Sequence, residues 1–125
     1  MAYDKNISPV GWYLGSYLLR FVEVNDPERD DSEKKFPSWE NTVLVRAKSL
    51  QEAFRKIERV GKKSSKPYAG GSEGVSVKWD FVGVTEVLPI YEKIEDGAEI
   101  AWRKRSPRTL RKLREMVGDK ESFFQ

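Results

Sequence analysis

The sequence predicts an α+β fold: an antiparallel sheet of four to five strands, one helix packed on a face, and a C-terminal basic amphipathic helix. Three observations lead there. Apolar residues alternate with a period of two in several short stretches separated by turn residues. One stretch, opening at Ser49, switches to the helical period. The resulting order of strand, strand, helix, two or three strands, helix lacks the βαβα alternation of a doubly wound sheet.

Residues 1–9 end at Pro9 and read as a flexible leader, 10–104 as a single domain, and 105–125 as a basic helix and tail. Over residues 10–24 both alternating sets are apolar: Trp12, Leu14, Leu18 and Val22 on one side, Tyr13, Tyr17, Leu19 and Phe21 on the other. A strand apolar on both faces belongs at the centre of a sheet. Residues 25–38, with Asp26-Pro27 and a dense mixed-charge run, read as a solvated loop. In the next segment Val43, Val45 and Ala47 alternate with Thr42, Leu44 and Arg46, which gives a second strand able to pair antiparallel with the first.

Ser49-Leu50-Gln51-Glu52 has the form of a capping box, in which the Ser49 hydroxyl takes the Glu52 amide and the Glu52 carboxylate returns to Ser49. Leu50, Ala53, Phe54, Ile57 and Val60 then form one apolar stripe, and Gly61 stands where a left-handed C-cap is expected. After a loop rich in Lys, Ser and Gly that includes Gly70-Gly71, Val75, Val77, Trp79 and Phe81 mark the clearest strand. Gly83 breaks that alternation and predicts a bulge; Pro89 predicts a strand end or an edge. Asp96-Gly97 is a hairpin signal, with a return strand expected over residues 99–104. Finally, Ser106-Pro107 reads as a cap and first turn, with Leu110, Leu113, Met116 and Val117 as a stripe closed by Gly118.

The residues Trp12-Tyr13-Leu14, Leu18-Leu19-Arg20-Phe21, 39–47 (WENTVLVRA), Phe81-Val82-Gly83-Val84, Leu88-Pro89-Ile90-Tyr91 and 94–100 (IEDGAEI) resemble a bacterial family, DUF4288. The likeness runs over approximately residues 12–102. It implies a small bacterial single-domain protein with no established activity, cofactor or catalytic residue, so no functional residue carries over. The charged loop around residues 26–35 and the tail beyond Arg103 are longer than the family pattern needs.

Composition narrows the chemistry. The chain has 125 residues, no Cys and no His, which excludes disulfides, thiol or Ser-His-Asp nucleophiles and His-based metal or acid–base sites. The start Met1-Ala2-Tyr3-Asp4 is not that of a signal peptide, and the apolar run over 10–19 falls short of the ~20 residues of a membrane helix. A cytoplasmic protein that does not span a membrane is expected. Net charge is +3, and the excess lies at one end: residues 101–125 carry eight basic and three acidic side chains.

Two candidate sites follow. Trp39-Glu40-Asn41 sets an aromatic anchor beside a carboxylate and an amide at a loop-to-strand junction, and Phe123-Phe124 puts adjacent aromatics on a polar tail. These are the residues expected to meet a protein partner or a second copy. The alternative is nucleic acid, held by Arg103, Lys104, Arg105, Arg108, Arg111, Lys112 and Arg114 with Trp102 as a stacking surface. The plainer reading of that tail is a solvated amphipathic helix docked by its leucines. A third possibility, a metal site among Glu86, Glu92, Glu95, Asp96 and Glu99, lacks any Asp-x-Asp spacing and ranks last. The expectation is therefore a non-enzymatic bacterial interaction module that needs no cofactor and no metal.

Overall fold

The structure, a computed structural model, describes residues 4–70 and 72–124. Strands β1 (Trp12–Glu23), β2 (Ser38–Arg46) and β3 (Val77–Pro89) form one antiparallel sheet in the order β2-β1-β3. Helix α1 (Leu50–Lys63) packs on one face, mainly over β1 and β3, and a six-residue helix α2 (Leu110–Glu115) follows the sheet. The doubly apolar strand is central, as its two covered faces require. In the β1–β2 ladder Trp12 faces Arg46 and Arg20 faces Ser38.

The sheet thus has three strands among the described residues, not four to five, and two local causes account for the difference. First, the segments on either side of Gly83 are one thirteen-residue strand. Its register against β1 slips twice, skipping Val82 and Thr85, so the bulge predicted at Gly83 is present but does not divide the strand. Second, the expected return strand over 99–104 does not form. Gly97 adopts φ +84° and Ala98 donates to the Glu95 carbonyl (2.9 Å), so the turn is made. Beyond it, Glu99 N–H goes to the Glu92 carboxylate (2.8 Å), Ile90 N–H is already committed to the Trp12 carbonyl (2.9 Å), and Pro89 has no N–H to give. The segment returns through side chains, with the Trp102 ring 5.9 Å from that of Tyr91.

Tyr13, Tyr17, Leu19, Val45, Ala47, Ala53 and Ile57 form the buried core between α1 and the sheet. The Ser49 hydroxyl accepts the Glu52 N–H (3.1 Å) as expected, but the Glu52 carboxylate reaches the Lys48 N–H (3.3 Å) and not that of Ser49. Gly61 is not a left-handed cap. The helix runs through it to Lys63, and a Cβ there would lie 2.5 Å from the Phe81 ring, so its role is close approach of helix to sheet. The buried stripe of α1 is accordingly Ala53, Ile57 and Gly61, while Phe54 and Val60 are exposed.

The other sheet face carries Ser16, Arg20, Glu40, Thr42 and Arg46. Ser16 and Thr42 share a hydroxyl hydrogen bond (2.8 Å), and Arg46 stands over the Trp12 ring at 5.0 Å. Arg20 Nε donates to Asp80 (2.9 Å), its Nη1 donates to the Arg29 carbonyl (2.7 Å), and its guanidinium lies 4.7 Å from the Phe36 ring. The charged loop is thereby pinned to the sheet, and inside it Lys34 pairs with Asp26. This pairing holds the Asp26 carboxyl below its ordinary range and the Lys34 ammonium above its own, chiefly through their mutual hydrogen bond.

Upstream of β1, the segment expected to be a flexible leader makes specific contacts at Ser8, which is buried, donates Oγ–H to the Ile90 carbonyl and gives its N–H to Tyr13 Oη (3.0 Å). Met1, Ala2, Tyr3, Gly71 and Gln125 lie outside the described residues.

The C-terminal helix differs from expectation in extent and in docking. It begins at Leu110, three residues after the predicted start, because the Thr109 hydroxyl takes the Lys112 N–H (3.2 Å), and it ends at Glu115, before Gly118. It touches neither the sheet nor α1. Leu110, Leu113, Met116 and Val117 all remain exposed, so the leucine stripe does not dock on the domain. Among the described residues no helix is long and apolar enough to cross a membrane.

Candidate binding site

Leu19, Trp39, Asn41, Ser64 and Trp79 line an open cleft of about 260 Å³ at the β2 side of the helix-covered face. Register builds it. Leu19 on β1 faces Trp39 on β2, and Phe21 on β1 faces Trp79 on β3, so strand pleat places Leu19, Trp39, Asn41 and Trp79 on one face. Ser64 enters from the C-cap of α1. The neighbouring Ser65 fixes that end of the helix to β3, donating to the Trp79 carbonyl (2.9 Å) and accepting the Phe81 N–H (2.8 Å).

The Trp39 ring meets Trp79 edge-on at 6.3 Å, and Trp79 in turn packs against Phe21 at 5.2 Å. Trp39 nonetheless remains 63% exposed. Such a surface offers an indole for packing with an amide and a hydroxyl for hydrogen bonding; it contains no titratable group.

The sequence-predicted trio Trp39-Glu40-Asn41 is not brought together. Adjacent strand residues point to opposite faces, so Glu40 sits on the open face, where its carboxylate accepts the Thr85 hydroxyl (2.7 Å). Leu19, Ser64 and Trp79 are the members that sequence reading missed. The spacing of Trp39 and Asn41, two residues apart, was the available signal for the first step, and only the register supplies Leu19 and Trp79. Phe123 and Phe124 are 70% and 72% exposed and are not part of the cleft.

In the basic tail, Trp102 packs on Tyr91, Arg108 reaches the Met116 sulfur (2.9 Å), and Arg111 pairs with Glu115 (3.2 Å). Arg103, Lys104, Arg105, Lys112 and Arg114 are exposed. No three acidic residues gather in a metal-holding group among the described residues, and the Glu92 carboxylate is spent on the Glu99 amide.

The profile of the family described as Domain of unknown function (DUF4288) matches residues 12–102, most of the chain. The chain belongs to the DUF4288 family. All three strands, α1 and every residue of the cleft fall within the DUF4288 match, whereas α2, the basic residues from Arg103 onward and Phe123-Phe124 fall beyond it. No curated protein and no solved structure matches the chain.

Proposed function

We propose that this DUF4288 protein is a non-enzymatic module of the bacterial cytoplasm that receives an extended protein segment along the free edge of β2, with Trp39 as the anchor. The observation that carries this reading is the coincidence of a nine-residue edge strand with an exposed indole over an aromatic cleft beside it. Edge strands offer main-chain hydrogen bonds for affinity, and the adjacent pocket offers side-chain specificity. Truncating a buried aromatic anchor at such a surface typically costs about 2 kcal/mol or more of binding.

A photo-crosslinking residue placed at Leu44, whose side chain is exposed on β2, tests this in the cell of origin, with Arg59 on the outer side of α1 as the control position. Adducts are expected from position 44, diminished by Trp39→Ala. Adducts no more abundant than those from position 59 would refute the edge reading.

A second reading, nucleic-acid binding, is favoured by the exposed basic tail that leaves both sheet and α1 untouched. Single-stranded RNA or DNA affinity that falls steeply with salt, and falls further when Arg108, Arg111, Lys112 and Arg114 are changed to Gln, would support it. Salt-independent or absent binding at low salt would end it.

A further inference from the structure

The edge of β2 specifies its own occupant. On the reading that this edge is the binding surface, we infer that it takes the β2 edge of a second copy, paired antiparallel about Val43. Two backbone bonds fix the phase. Phe21 donates its N–H to the Pro37 carbonyl (2.8 Å) and Ala47 donates to the Gly11 carbonyl (3.1 Å), one at each end of the β1–β2 ladder. Odd-numbered residues of β2 therefore direct their N–H and C=O groups at β1. Ser38, Glu40, Thr42, Leu44 and Arg46 direct theirs away from the sheet.

A hydrogen-bonded strand added to this edge must place outward-directed residues opposite outward-directed residues. For two copies related by a two-fold axis, only registers pairing even-numbered residues with even-numbered ones meet that condition. An axis at Val43 sets Glu40 opposite Arg46 of the second copy and, by symmetry, Arg46 opposite its Glu40; Thr42 faces Leu44 twice. An axis at Thr42 instead opposes Glu40 with Leu44 and Arg46 with Ser38. An axis at Leu44 opposes Thr42 with Arg46 and carries Glu40 past the end of the strand. The register at Val43 is the one that pairs both charges within β2.

In the single chain Glu40 accepts the Thr85 hydroxyl (2.7 Å) and Arg46 stands over the Trp12 ring (5.0 Å), so both side chains turn outward on pairing. On the helix-covered face Trp39 comes opposite Ala47 of the second copy, a small residue beside a large one. Helix α1 lies mainly over β1 and β3. The outward carbonyl of Arg46 accepts from Lys56 Nζ (2.5 Å), which leaves its second lone pair for the new ladder. Long charged side chains of one sign protect an edge from pairing. Glu40 and Arg46, of opposite sign and at complementary positions, select a partner strand instead. The assembly is a continuous six-stranded sheet with α1 of each copy on the same sheet face.

Sedimentation velocity on the full chain over a wide concentration range tests this with four variants: E40R, R46E, the E40R/R46E exchange, and an equal mixture of the two single variants. The wild-type chain is expected to dimerise. Each single reversal creates two like-charge pairs and weakens self-association by about tenfold to a hundredfold. The exchange variant recovers it. In the mixture an E40R chain brings two cations at these positions and an R46E chain two carboxylates, so mixed dimers form although neither variant pairs with itself. That recovery also shows that both variants are folded.

A wild-type chain monomeric throughout, or a dimer indifferent to both reversals and to mixing, would overturn the inference. If the wild type is monomeric while position 44 crosslinks to another protein, self-pairing fails and the edge reading stands. If neither occurs, both fail.

Discussion

Gly15 lies against the Ile57 side chain of α1, and replacing it with Ala measures how tightly helix and sheet are held. A Cβ at Gly15 would lie 1.9 Å from Ile57 Cδ1 and 2.4 Å from Cγ1. Ile57 is fully buried, so the side chain cannot swing into solvent. Either it leaves its rotamer, at about 0.5–1.5 kcal/mol, or the helix lifts and forfeits packing, at about 1–3 kcal/mol. Gly15 does not need a left-handed backbone, so the alanine also restricts the unfolded chain and returns about 0.4–1 kcal/mol. The expected net loss for Gly15→Ala is about 1 kcal/mol. Ile57→Ala alone opens a cavity and should cost about 2–5 kcal/mol. In the double variant the added methyl occupies part of the vacated volume and the clash is gone, so the combined loss should fall short of the sum by about 2 kcal/mol. Urea denaturation followed by tryptophan fluorescence reads all three values. Additivity within about 0.5 kcal/mol would mean that the two positions do not touch, and would refute the packing described here.

Ser49→Ala removes the hydroxyl that holds the Glu52 N–H and should lower stability by about 1 kcal/mol, read from the urea midpoint. The Arg20–Asp80 pair predicts a pH dependence. Burial pushes the Asp80 carboxyl up, but the hydrogen bond from Arg20 and the charge of Lys78 outweigh it, so the folded carboxyl titrates below its ordinary range. A carboxyl depressed in the folded state contributes stability that is present above its unfolded pKa, about 4, and is lost as pH falls through the folded value. Urea midpoints should therefore be flat from neutrality to about pH 5 and fall below it, with a shallower fall in Asp80→Asn. Arg20→Ala should cost about 1.5–3 kcal/mol at neutral pH, since it removes a charged hydrogen bond from Asp80, leaving that carboxylate to Lys78 alone (3.4 Å), and frees the charged loop; a loss under about 0.5 kcal/mol would contradict that role.

The elements legible in the sequence are those whose cause is local. The two-sided apolar run of β1, the Ser49 cap, the disturbance at Gly83 and the stop at Pro89 each follow from a few neighbouring residues, and each is present. The misread elements depend on a distant partner. Gly61 is a helix terminator by local rule, yet Phe81 and Tyr17 make it a packing glycine. The stretch 99–104 alternates like a strand, yet a strand needs a neighbour with unspent N–H groups, and Pro89 and Ile90 have none for it. Leu110 and Leu113 predict a buried stripe, but periodicity says only that one side of a helix is apolar, and an isolated six-residue helix gains little from propensity.

The candidate site shows the same division at finer scale. Trp39, Glu40 and Asn41 are neighbours in the chain, and sequence reading grouped them because they are adjacent. In a strand, adjacency separates. Side chains alternate between faces with a period of two, and backbone groups alternate between the two flanking strands with that same period. In β2 the two alternations are locked together: odd-numbered residues face α1 and bond to β1, while even-numbered residues face the open side and direct their amides outward. Trp39 and Asn41 therefore belong to the cleft, with Leu19 and Trp79 supplied by register. Glu40 belongs with Thr42, Leu44 and Arg46 to the free edge. Reading β2 by parity separates an aromatic anchor from a charge-coded edge, two parts of one recognition surface.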